Sequence, residues 1–228
     1  MVPAVSDVER LLAETRFEGP VFNPWADVDR QHGCGDRGPD IRRRQLVRYF
    51  EARRGRTAWV LVGEAMGYQG GHFSGVPMTS ERILLGHKTE AGIDPSLVLP
   101  DLPPERTSRP DLKVKGFSEP TATIVWGAMR QVGMDPLNVT LWNTFAWHPY
   151  RSDRGLLSNR RPKPEELSLG MPALKSVLAL FPEARLAAVG KVAAECLQTE
   201  GYSFVEMRHP AHGGAPEFRA QLAQMAGS

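Results

Sequence analysis

Cysteine is scarce: Cys34 and Cys196 are the only two in 228 residues. Two thiols cannot supply a four-thiolate zinc or iron–sulfur site, and a disulfide scaffold needs more, so the chain reads as a reduced, cytoplasmic protein without a metal. No run of ~18 apolar residues is present. The start, MVPAVSDVER, has neither the basic nor the apolar region of a secretory leader, so a soluble chain with no membrane partner is expected. Charge of one sign is lacking as well. Lys and Arg number 28, Asp and Glu 26, for a net charge of +2, so the chain is no polycation that would coat nucleic acid wholesale. Internal repeats and low-complexity tracts are also absent.

Hydrophobic residues make up 41% and charged residues 24% of the chain, the usage of a globular protein. Four apolar runs rich in β-branched and aromatic residues predict strands: 57–63 (TAWVLVG), 139–145 (VTLWNTF), 185–190 (RLAAVG) and 202–207 (YSFVEM). None alternates cleanly, as expected of strands covered on both faces. Helical spacing fills the gaps. Leu167, Met171, Leu174, Leu178 and Phe181 recur at intervals of four and three behind Pro164-Glu165-Glu166, with Pro172 inside predicting a kink or break. Further helices are expected at 5–15, 39–53, 80–86, 119–132, 191–200 and 215–225. Strands alternating with helices predict an α/β fold in one domain, a three-layer α/β/α sandwich around a four-stranded parallel sheet. The stretch 98–120, rich in proline and charge, reads as a surface excursion.

In such folds ligands bind beyond the carboxyl ends of the strands, and three of those ends are polar here. The first opens the loop Gly63-Glu64-Ala65-Met66-Gly67-Tyr68-Gln69-Gly70-Gly71-His72-Phe73-Ser74-Gly75, with five glycines in thirteen residues. Glycine lets backbone N–H groups approach a flat or anionic ligand. A flexible turn is the plainer reading, and this loop matches neither the P-loop nor the G-x-G-x-x-G fingerprint, so no nucleotide cofactor is indicated. The second end carries Asn143, an amide in an apolar strand. It either bonds neighbouring backbone or recognises a group offering one donor and one acceptor, as the N3–H and O4 edge of uracil does. The third runs into Arg208-His209-Pro210-Ala211-His212-Gly213-Gly214, where a rigid proline and two glycines can aim His209 into a cleft. No convincing third ligand accompanies His209 and His212, which disfavours a metal.

From 148 to 163, Arg151, Arg154, Arg160, Arg161 and Lys163 oppose only Asp153, a local cationic surface suited to phosphates. Arg42, Arg43, Arg44, Arg53, Arg54 and Arg56 form a second basic stretch with the pattern of a solvated helix face. Trp142 and Trp147 read as core.

Together these segments resemble the uracil-DNA glycosylase superfamily. Gly63-Glu64-Ala65-Met66-Gly67 is similar to its first motif, which reads Gly-Glu-Ala-Pro-Gly in the iron–sulfur branch, and Gly75-Val76-Pro77-Met78 to the Gly-x-Pro-Phe that follows. Residues 159–167 (NRRPKPEEL) resemble that branch's Asn-Arg-x-Pro-x-Pro-Glu-Glu, residues 186–193 its strand and Gly-(Lys/Arg)-x-Ala turn, and His209-Pro210 the start of its second motif. The likeness keeps one order over 57–226. It has departures: the cluster cysteines are absent, Met66 replaces the motif proline, and Met78 replaces the stacking Phe. Ala65 stands where other branches place the Asp or Asn that handles the attacking water.

The resemblance implies a monomeric, cofactor-free, monofunctional glycosylase that flips uracil out of DNA and hydrolyses its N-glycosidic bond. Free uracil and an abasic site would be the products. His209 would donate to uracil O2 as negative charge grows there. Glu64 would orient water or a loop amide, or merely cap the next helix. Gly63, Ala65, Met66, Gly67, Tyr68, Phe73 and Asn143 would line the base pocket, with Phe73 or Tyr68 as stacking platform and Asn143 rejecting cytosine. Arg151, Arg154, Arg160, Arg161, Lys163, Arg208, His212 and Gly213 would meet the DNA. Ala65 keeps open a second expectation, a relative that binds damaged or abasic DNA without turnover. A small-molecule enzyme using the glycine loop for phosphate is a third.

Overall fold

The computed structural model describes residues 2–227. Along them run α1 (Val5–Glu14), β1 (Val21–Phe22), α2 (Gly38–Glu51), β2 (Trp59–Ala65), α3 (Gly71–Ser74), α4 (Glu81–Leu84) and α5 (Pro120–Gln131). Then follow β3 (Val139–Phe145), β4 (His148–Pro149), α6 (Pro164–Ala179), β5 (Arg185–Val189), α7 (Lys191–Thr199), β6 (Val205–Met207) and α8 (Ala215–Ala226). Strands β3, β2, β5 and β6 lie in that order in one parallel sheet, while β1 and β4 pair antiparallel apart from it. Helices flank the sheet, giving the expected three-layer α/β/α arrangement.

The continuous apolar runs explain the sheet. Every residue of β3 is buried, as are Trp59 to Gly63 of β2, the signature of parallel strands covered on both faces. Trp142 and Trp147 lie wholly in the core. In register, Gly63 sits beside Asn143 and Val62 between Trp142 and Ala188.

As an outer strand, β3 exposes backbone groups that need partners, and α2 and the turn just after it supply them. The Tyr49 hydroxyl accepts from Leu141 N–H at 2.6 Å, and Arg53 Nε donates to Val139 O at 2.9 Å. The same guanidinium lies over the Tyr49 ring, 3.9 Å from its centroid, and donates to Tyr49, Val98, Leu97 and Pro136 carbonyls at 2.9 to 3.3 Å. Arg42, also buried, donates to the Pro24 and Asp27 carbonyls. Two members of the basic stretch that reads as a solvated face are therefore internal ties.

Other departures from the sequence reading have local causes. Helix α6 runs through Pro172 without a break. Pro172 and Ser168, whose carbonyl loses the bond, both lie on the exposed side, where solvent replaces the partner. Strand β6 is shorter than expected because Tyr202 N–H turns back to Leu197 O of α7. The 98–120 stretch is more than an excursion: Val98, Leu99 and Phe117 are buried, and the buried Glu81 carboxylate accepts from the N–H groups of Thr107 and Ser108 at 2.7 and 2.9 Å.

Replacing Arg53 with Met strips donors from buried carbonyls, so Arg53→Met is expected to cost about 2–4 kcal/mol in urea unfolding. Arg56→Ala breaks only solvent-exposed contacts, with Asp135 and the Asn138 carboxamide, and should change stability by about 0.5 kcal/mol or less. Equal midpoints for the two variants would contradict the edge-capping role of Arg53.

Candidate functional site

Because the four strands are parallel, their carboxyl ends and the loops after them converge on one edge of the sheet. Asn143, 1% exposed, stands there beside Gly63. A Cβ on Gly63 would meet Asn143 Oδ1 at 2.8 Å and Met78 Sδ at 3.4 Å, so the carboxamide and the thioether occupy space that only glycine leaves open. Asn143 Nδ2 is buried with no hydrogen-bond partner among the described residues. Met78 adopts the left-handed region, φ 47°, and Trp126 Nε1 donates to its carbonyl at 3.1 Å. Such a conformation in a non-glycine residue carries backbone strain. Met78, which stands in place of the stacking Phe, brings its thioether to the same glycine as the Asn143 carboxamide.

The glycine-rich loop is anchored by a buried chain of three side chains. Asp29 accepts from the N–H groups of Gln31 and His32 at 3.0 and 2.9 Å, and its Oδ2 faces His72 Nε2 at 2.9 Å. Burial alone would raise its carboxyl, but hydrogen bonds from His72 and His32 hold it below the usual carboxylate range. His72 Nδ1 faces His148 Nδ1 at 2.9 Å, and His148 Nε2 donates to Ser158 O at 2.8 Å. Burial drives the two imidazoles down, to about 4 for His72 and about 3 for His148. The contacts oppose that: a carboxylate and a carbonyl only accept, so two neutral rings supply two protons for three contacts. Two bare nitrogen lone pairs at 2.9 Å repel, so the geometry prevails. A proton between the rings would have the Asp29 carboxylate as its counter-charge. Phe22 stacks on His72 with centroids 4.1 Å apart. None of this chain was singled out from the sequence, since 43 residues separate Asp29 from His72 and 76 separate His72 from His148.

Two more side chains lie over the loop. Asn159 Oδ1 accepts from Tyr68 N–H at 3.0 Å. Glu119, the residue preceding α5, turns away from its helix and sets its carboxylate against Gly67 and Gly70. Burial pushes that carboxyl up to about 7.

His209 lies at the same edge of the sheet, beyond β6 and against Gly190, whose added Cβ would stand 3.3 Å from that of His209. Its Nδ1 accepts from Ala211 N–H at 3.1 Å, which leaves Nε2 as the protonated, donating nitrogen. Burial, with the positive charges of His212 and Arg208, keeps its pKa below the ordinary histidine value. A cavity of about 420 Å³ opens beside it, lined by Lys191, Arg208 and Gln221 among others but not by Asn143. Three strand spacings separate β3 from β6, about 14 Å.

The remaining candidates divide. Ala65 pairs with Phe145 in the ladder. Met66 is a core side chain, 2% exposed and packed where a Cβ on Gly71 would stand, so it does not face a ligand. Phe73 is also internal: it has no exposed surface, and Phe117 stacks on it at 4.3 Å, which leaves Tyr68, half-buried, as the accessible aromatic. Glu64 does not cap a helix; its Oε1 lies 3.4 Å from Arg161 Nε. Arg160 is spent inside the fold, bidentate to Glu166 at 2.7 and 2.6 Å and donating to Pro20 and Tyr150 carbonyls. Arg151, Arg154 and Lys163 stay on the surface beside Asp153 or Glu165. His212 and Gly213 both take positive φ, 52° and 78°, forming the turn that follows His209. Among the described residues no three His, Cys, Asp or Glu side chains are disposed to hold a metal ion, and no helix is long and apolar enough to cross a membrane.

No family model and no curated protein matches the chain. A solved structure does: wild-type SMUG2 from Pedobacter heparinus, with a TM-score of 0.57 and 11% identity over 99% of this chain and 97% of that one. At that identity the likeness is one of fold.

Asp29→Asn removes the buried carboxylate that faces His72 Nε2 and accepts from the Gln31 and His32 N–H groups. It is expected to lower stability by about 3 kcal/mol or more in urea unfolding, and to speed amide exchange across residues 70–75. Unchanged exchange there would contradict the chain as the anchor of the loop.

Proposed function

We propose that this protein is a DNA glycosylase that takes a flipped uracil at the carboxyl edge of its sheet and hydrolyses the bond from N1 to C1′. The observation that carries this reading is the unspent amide of Asn143. Leaving a buried donor without a partner costs about 1–3 kcal/mol, and a bound base with a carbonyl at that point recovers it. Uracil fits: O4 accepts from Nδ2 while N3–H donates to Oδ1. Cytosine offers an amine and a bare N3 instead, so both contacts turn repulsive. Met78 and Tyr68 supply apolar surface for the faces of the ring.

His209 completes the reading from the far side. As the glycosidic bond breaks, its electron pair moves onto the base and negative charge builds on O2. A neutral imidazole whose Nε2–H is fixed by the Ala211 contact stabilises that charge without reorganising. Arg151, Arg154, Arg161, Lys163 and Arg208, with the turn at His212 and Gly213, form the surface for the phosphates. The fold shared with SMUG2 supports this reading.

A second reading, binding of damaged DNA without turnover, is favoured by one observation: Ala65 brings no polar atom to the place where water must be handled. Incubation with a uracil-containing oligonucleotide followed by alkali separates the two. Strand scission is expected, and its absence with enzyme in excess leaves only binding. In single-turnover assays His209→Ala should be slower by about 10²–10³-fold with DNA affinity retained, and Asn143→Asp should lose the preference for uracil over cytosine. Wild-type behaviour in both variants overturns the assignment.

A further inference from the structure

The reaction proposed above has water attack C1′ as the C1′–N1 bond breaks, so uracil leaves with the bonding pair and the water must lose a proton. Ala65 cannot accept it. Resting on that reading, we infer that Glu119 is the general base: reaching across the glycine-rich loop from the start of α5, its carboxylate holds the attacking water and takes its proton.

Three observations converge on Glu119. The first is where the carboxylate stands. A Cβ on Gly70 would lie 2.1 Å from Oε2 and 2.8 Å from Cδ, and one on Gly67 would lie 3.6 Å from Oε1. The loop is bare of side chains at the two points where Glu119 crosses it, and any substituent at residue 70 would evict the carboxylate. The second is what the carboxylate forgoes. A residue at this position ordinarily accepts from the first-turn N–H groups of its helix, but Glu119 makes no such side-chain bond. Part of the residue remains in solvent, whereas Oε2 itself is sealed and has no partner among the described residues. A buried acceptor left unpaired costs stability, which a ligand or water bound there would recover. The third is the element it sits on. Helix α5, which Glu119 precedes, carries Trp126, whose indole donates to the backbone carbonyl of Met78, so the element that presents the carboxylate is tied to the backbone of the residue that shares the space beside Gly63 with Asn143.

Its acidity fits the task. Burial raises the carboxyl to about 7 and no charged group contributes to the shift; the surroundings named above are Gly67, Gly70 and, across Gly67, the Asn159 carboxamide. A base near neutrality is matched to proton transfer at physiological pH. The same shift has a cost whose sign is fixed. A carboxyl raised from 4.5 to about 7 in the folded state favours folding while protonated, and that contribution fades as pH climbs from about 5 through 7.

The test compares wild type with Glu119→Gln, which keeps shape and burial but cannot take a proton. Uracil release from a single uracil-containing oligonucleotide is followed from pH 5 to 9 under single turnover. The variant should be slower by about 10²–10³-fold and lose the rise in rate through neutrality, while binding the oligonucleotide as tightly. Its Tm should exceed that of wild type at pH 8 and match it at pH 5. Wild-type rate and pH profile in the variant overturn the inference and leave the glycosylase reading standing. Should wild type release no uracil, the glycosylase reading falls, and a readout free of turnover decides Glu119. An oligonucleotide bearing a cationic pyrrolidine in place of the target sugar should bind more tightly than one bearing neutral tetrahydrofuran, and Glu119→Gln should erase the difference. A preference that survives the substitution, or none in wild type, overturns the role of Glu119.

Discussion

The pairing of Gly63 with Asn143 in adjacent parallel strands is the constraint on which the rest of this end of the molecule depends. Parallel pairing fixes which residue of β3 stands beside which residue of β2, and a slip of one position would turn Asn143 to the opposite face of the sheet. With glycine as its neighbour, the carboxamide oxygen and the Met78 sulfur both border the space that a Cβ on residue 63 would take. That register is itself held by the core: Trp142 next in the strand is fully buried, and Tyr49 and Arg53 fasten the outer edge of β3.

Two cations of the scaffold are fully matched, the buried Arg53 by five carbonyls and the partly buried Arg160 by a carboxylate and further carbonyls. Ser80 Oγ, Trp142 Nε1 and Arg219 Nε are buried without a partner, and at the carboxyl edge Asn143 Nδ2 and Glu119 Oε2 are as well. Unpaired buried groups are costly in a medium of low polarity, and the position of the last two beside bare glycines in one loop is the pattern of a preorganised site, in which stability is given up for later contacts. The Asp29, His72 and His148 chain serves the opposite purpose: it ties the loop containing His72 to the segment after β3 with no group left over.

Much of the framework was legible because burial on both faces writes continuous apolar runs, which is why β2, β3 and β5 fall close to their expected bounds. The shorter pieces were not. Strands β1 and β4 have two residues each and α3 four, too few for any periodicity to register. Charge patterns misled where the environment inverted them: Arg42 and Arg53 read as solvated and are buried, and Arg160 reads as a phosphate contact and is an internal tie. Phe73 reads as a base platform because nothing in the sequence announces Phe117 as its partner. The placement of Asn143, Gly63 and His209 at one edge of the sheet was legible, since each lies at or just beyond the end of an apolar run. Glu119 was not, because its meaning lies in two glycines roughly fifty residues earlier in the chain.

The central claim, that the Asn143 carboxamide is held ready for a pyrimidine edge, is tested most directly by following its side-chain amide resonances during titration with free uracil and with 3-methyluracil. Saturable movement with uracil and none with the methylated base is the predicted result, since methylation removes the N3–H that Oδ1 accepts. Resonances that stay fixed with both ligands, or move equally with both, would contradict it.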